Sequence, residues 1–68
     1  MTVKIQSETG VEIAKYNNAK FDHNQQLGTA VVKNDHGYAE IKWADKITDT
    51  EFEGELQPMG LFVKIIIE

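Results

Sequence analysis

The stretch from Gly28 to Trp43 admits few folds, because it reads as two β-strands joined by a tight turn. Asn34-Asp35-His36-Gly37 supplies the turn: Asn and Asp hydrogen-bond their own backbone, and Gly37 is free to take positive φ. From Gly37 onward Ala39, Ile41 and Trp43 alternate with Tyr38, Glu40 and Lys42, the period of a half-buried strand. That alternation places Trp43 on the inward face with Ile41.

The same period organises most of the remaining chain. Residues 2–7 read as a strand with Val3 and Ile5 inward, and Val11, Ile13 and Lys15 continue the alternation after Thr9-Gly10, so residues 2–16 read either as a hairpin or as one long strand bent at the glycine. Between Tyr16 and Leu27 the large apolar residues Tyr16, Phe21 and Leu27 follow neither a strand nor a helix period, so this segment is expected to be a long ordered loop. Residues 44–49 form a polar connection with room for a helical turn. In residues 50–56, Phe52, Gly54 and Leu56 share one face and Glu51, Glu53 and Glu55 the other. Gln57-Pro58-Met59-Gly60 breaks the chain. In the last strand, Leu61, Val63, Ile65 and Ile67 lie on one side, and Phe62 and Ile66 flank Lys64 on the other. The expectation is all-β: one small domain over residues 1–68, a five- or six-stranded barrel with one long loop at residues 16–27.

A chain of 68 residues buries only about 60 % of its unfolded surface, so its core is thin. It has no cysteine, which excludes disulfides, thiolate zinc sites and cysteine-held clusters, and leaves barrel packing or homo-oligomerisation to supply stability. No apolar run approaches the roughly 18 residues of a membrane span, and the first residues lack the basic-then-apolar order of a secretory signal. A cytoplasmic protein that does not enter membranes is expected. Ser7 is the only serine and the glycines are scattered, so neither a nucleophilic triad nor a phosphate cradle is indicated. The pairs Asp22-His23 and Asp35-His36 read as turn chemistry, with a metal or proton-transfer site as the alternative. The chain is expected to be non-catalytic and to need no cofactor.

Charge is unevenly placed. The net charge is −4, yet residues 35–55 hold seven carboxylates against Lys42 and Lys46, whereas residues 1–34 hold Lys4, Lys15, Lys20 and Lys33 against three carboxylates. Every basic residue is lysine, so the guanidinium fork suited to phosphates and guanines is missing.

The long early loop, the Gly28-Thr29-Ala30-Val31 strand, the polar turn with Gly37, the aromatic Trp43 and the acidic Asp45 together resemble small β-barrels of the Src-homology-3, Tudor and KOW kind. Such barrels host peptide, methyl-amine, nucleic-acid and accessory-subunit roles. The resemblance implies a partner site among the early loop, the hairpin tips and the connection before the fourth strand, which on this chain means Tyr16, Phe21, Asp22, Tyr38, Trp43 and Asp45. A second, gapped likeness joins Glu8-Thr9-Gly10-Val11, Lys20-Phe21-Asp22-His23 and Ile41-Lys42. It resembles the tryptophan-activated RNA-binding attenuation proteins, and it implies a ring oligomer that contacts RNA through Lys42.

The residues themselves favour protein docking. With one face of the last strand inside, Phe62 and Ile66 are left together outside, a pairing that soluble monomers avoid unless something covers them. The cover is either a protein partner, with Glu51, Glu53 and Glu55 as an acidic rim, or the early loop through Tyr16 or Phe21.

Overall fold

The computed structural model describes residues 1–68, and every regular element in it is a strand. In chain order these are β1 (Val3–Gln6), β2 (Glu12–Tyr16), β3 (Lys20–Asn24), β4 (Thr29–Asn34), β5 (Gly37–Thr48), β6 (Glu51–Leu56) and β7 (Leu61–Ile67). They form one antiparallel sheet in the order β2-β1-β7-β6-β5-β4-β3. Seven strands laid flat at ~4.8 Å spacing would make a slab roughly 29 Å wide and 10 Å thick. The molecule measures 26 × 25 × 24 Å, so the sheet curls.

The curl follows from the two ends of the ladder. Taking the antiparallel pairings in turn, β2 and β3 run in the same direction, joined only by Asn17, Asn18 and Ala19. They are two halves of one bent strand, the first paired to β1 and the second to β4. Asn18 takes φ 52° at the bend, Ala19 N–H donates to the Met1 carbonyl at 2.8 Å, and Asn34 Nδ2 donates to the Asn17 carbonyl at 3.0 Å. No ladder joins β2 to β3, so the sheet is not closed.

The concave face holds the core. Val3, Ile5, Val32, Ile41, Val63 and Ile65 are fully buried, with Phe52, Leu56 and four alanines filling the rest. Phe21 of β3 reaches across the interior to Phe52 of β6, ring centroids 4.8 Å apart, and His23 meets the same ring edge-on at 5.0 Å. Aromatic pairs of this kind add about 0.5–1.5 kcal/mol to the area they bury.

Several expectations are corrected. The sheet has seven strands, not five or six. The segment expected as a loop at residues 16–27 contains β3, because Phe21 and His23 alternate inward against Lys20, Asp22 and Asn24. Residues 44–48 continue β5, with no helical turn. In β2 the inward residues are Ala14 and Tyr16, while Val11 and Ile13 face water. A bulge explains the inversion: Ile5 pairs with Ala14 but Gln6 with Glu12, so Ile13 is the extra residue and the parity flips. The Asn34–Gly37 turn forms as expected, with Asn34 Oδ1 accepting from His36 N–H at 2.9 Å and Gly37 N–H at 3.1 Å, but Gly37 keeps negative φ. Glycine there occupies the last position of the turn, where type I geometry favours it.

Candidate functional site

Trp43 departs furthest from the sequence pattern. It is 71 % exposed and holds φ 56°, a left-handed conformation that bulky residues rarely take. The cause is a second bulge: Lys42 pairs with Glu55 and Asp45 with Glu53, so Trp43 and Ala44 together face the single residue Gly54. The inward row therefore runs Ala39, Ile41, Ala44 and passes Trp43 by. Neighbouring contacts pin the bulge, since Ala44 N–H donates to the Gly28 carbonyl at 2.8 Å and His23 Nε2 lies 3.1 Å from the Ala44 carbonyl. Gly54 has no room for a side chain: a Cβ would collide with Ile41 Cγ2 and lie 2.9 Å from the Lys42 carbonyl oxygen.

Beside Trp43 opens a recess of ≈ 300 Å³ shared with His23, Gln25, Gly28, Ala44, Asp45 and Lys46. Lys46 is committed to Asp49, Nζ to Oδ1 2.9 Å. That hydrogen bond and the ammonium's charge hold the Asp49 carboxyl below its ordinary range. Asp45 has no ion-pair or hydrogen-bond partner for its side chain. Leu27 and Ile47, on the turn before β4 and near the end of β5, are also exposed.

The convex face of β6 and β7 holds a second constellation. Cross-strand register sets Glu55 opposite Phe62, Glu53 opposite Lys64 and Glu51 opposite Ile66. On the other flank Lys42 stands opposite Glu55 and Asp45 opposite Glu53. Neither Lys42 nor Lys64 closes an ion pair with these carboxylates, the ion pairs being Lys4–Glu68 and Lys46–Asp49. Phe62 is 38 % exposed and Ile66 half-buried, and Tyr16 and Phe21 pack against the core on the opposite face of the sheet. The early segment therefore does not cover them.

A third recess, ≈ 530 Å³, lies along the seam between the β2–β3 bend and the β4–β5 turn, with Tyr16 and Tyr38 among polar walls that include Asn17, Asn18, Asn34 and Asp35. The structure thus divides the expected site residues. Tyr16 joins Tyr38, Trp43 joins Asp45, the three glutamates join Phe62 and Ile66, and Phe21 goes inside. Strand alternation turns Asp22 outward and His23 inward, so that pair does not act as one unit, and His36 sits apart in the turn. No cluster of three potential metal ligands forms. The sequence pattern does not single out Gln25 beside Trp43, because it lies in no periodic segment that would mark it. Compared with models of known protein families, with curated proteins and with solved structures, the chain gives no match.

Proposed function

We propose that this chain is a non-catalytic protein-binding module of the Src-homology-3-like kind, an adaptor, inhibitor or accessory subunit that docks a basic protein surface on the convex face of β6 and β7. The observation that carries this is the register of Phe62 and Ile66 against Glu55 and Glu51, with Phe62 38 % exposed and Ile66 half-buried on that face. Burying what Phe62 still exposes, roughly 80 Å², contributes about 2 kcal/mol gross at ~25 cal/mol per Å². The carboxylates around it steer a cationic partner and set the salt dependence of association more than its strength. A second copy of this chain would bring the same carboxylates against each other, which disfavours self-docking through this face. The test is capture from cell extract, followed by calorimetry of the purified captured protein against wild type, Phe62→Asp and Glu53→Gln. The proposal requires loss of binding in the first variant and a slower, less salt-sensitive association in the second. Equal binding by all three would refute it.

One observation favours a second reading, nucleic-acid binding. Lys20 and Lys33 stand directly opposite each other on β3 and β4, and Tyr38 is next in the same row, two cations beside an exposed ring. Charge and stacking together bind single strands. A fluorescent oligonucleotide titration that stays flat at low salt removes this reading.

A further inference from the structure

The seam between the β2–β3 bend and the β4–β5 turn gathers polar side chains that the fold does not use. Asn34 is the one that it does use. Its Oδ1 accepts from the His36 and Gly37 N–H groups and its Nδ2 donates to the Asn17 carbonyl, so a single amide fixes the turn against the bend. The ≈ 530 Å³ recess left between them is walled by Lys15, Tyr16, Asn18, Asp35, His36 and Tyr38 as well. None of these six side chains makes a hydrogen bond or an ion pair within the chain. Tyr38 keeps 73 % of its surface in water, so its ring is open to a ligand.

The unused groups define the ligand. Lys15 only donates, Asp35 only accepts, and the Asn18 amide, the His36 imidazole and the two phenols do both. One ammonium and one carboxylate balance, so the recess selects for neither an anion nor a cation. A phosphate would meet a carboxylate for every ammonium, and an apolar side chain would find only two rings among polar walls. The fitting molecule is uncharged, carries many groups that donate and accept at once, and presents a C–H face to a ring. A pyranose does all three, because its hydroxyls work both ways and its C–H bonds, polarised by neighbouring oxygens, point positive hydrogens at a negative π face. The volume lies within the ~300–1,000 Å³ of small-molecule sites. We propose that this recess binds a neutral pyranose unit of a glycan, with Tyr38 against its C–H face and Asp35 and Asn18 on its hydroxyls. It shares no residue with the β6–β7 face, so it stands apart from the docking reading.

The probes are methyl β-glucopyranoside, methyl β-galactopyranoside and methyl α-mannopyranoside. The control is tetrahydropyran-2-methanol, which keeps the ring and loses its hydroxyls. Binding is read from the amide shifts of isotope-labelled protein. At least one glycoside should move the Asn18, Asp35 and Gly37 amides saturably, with a Kd of about 1–10 mM for a ligand of this size, and the control should not. Asp35→Ala should weaken that binding about tenfold. Tyr38→Ala should weaken it about three- to tenfold, and Tyr38→Phe, which keeps the ring, by less. Both positions are exposed, so circular dichroism should show every variant folded. Tyr38 also ends the row of Lys20 and Lys33, and the paired change Lys20→Gln, Lys33→Gln separates this site from nucleic-acid binding. The glycoside response should survive that change, whereas a response to a single-stranded oligonucleotide should not. No saturable shift with any of the three glycosides, an equal shift with the control, or loss of the glycoside response with the lysine pair overturns the proposal.

Discussion

Replacing Gly54 with alanine tests the packing that presents Trp43. The added Cβ would meet Ile41 Cγ2, the Lys42 carbonyl oxygen at 2.9 Å and Ala44 Cα at 3.1 Å. Two of these three atoms are backbone held in the bulge, so no side-chain rotation clears them. Overpacking of a tight core costs about 1–3 kcal/mol, and the fixed backbone puts this site at the upper end. A chain of this length has a total stability of roughly 3–10 kcal/mol at ~0.05–0.15 kcal/mol per residue. A destabilisation of about 3 kcal/mol would lower Tm by about 12–24 °C, at ~4–8 °C per kcal/mol for a domain this small. Urea and thermal unfolding followed by circular dichroism measure both. The sign is informative, because glycine-to-alanine changes at unstrained sites stabilise by about 0.4–1 kcal/mol through the unfolded state. A Gly54→Ala variant as stable as wild type, or more so, would show that the bulge is not packed as described.

Trp43→Gly should leave stability within about 1 kcal/mol of wild type, since relief of ~1–2 kcal/mol of left-handed strain offsets glycine's entropy and the removal of the indole's remaining packing; a core tryptophan would cost about 3–5 kcal/mol, and urea midpoints separate the two. Lys46→Gln should raise the Asp49 titration midpoint toward its ordinary 3.8, read by carbon-detected NMR. The sign follows from the lowered carboxyl: the contribution of this ion pair is present above the unfolded value and is lost as pH falls through the folded one. Both groups are exposed, so global unfolding should not register the change.

Much of the architecture is legible in the residues, and two of the failures share one physical cause. The Asn34–Gly37 turn, the Glu51–Leu56 alternation and the buried Val63 and Ile65 all lie in uninterrupted period-two segments, and they form as the pattern indicates. Where a bulge inserts one residue, parity inverts and every later assignment moves to the wrong face. This happens at Ile13, and again at Trp43. The second bulge leaves a trace, since the inward apolar residues fall at 39, 41 and then 44, a step of three. β3 is hidden differently. Only Phe21 and His23 mark its inner face, and a histidine packed on a phenylalanine ring reads as polar in sequence. Gathering Tyr16 with Tyr38, or Trp43 with Gln25, depends on how far the sheet curls, which no local pattern encodes.

The core is assembled without the chain's tryptophan, which the β5 bulge delivers to solvent. Acrylamide quenching of Trp43 emission in the native protein measures this directly. Quenching close to that of the urea-unfolded chain is the expected result for a residue 71 % exposed. Strong protection in the native state, relieved only on unfolding, would put the indole back beside Ile41 and remove both the bulge and the recess it frames.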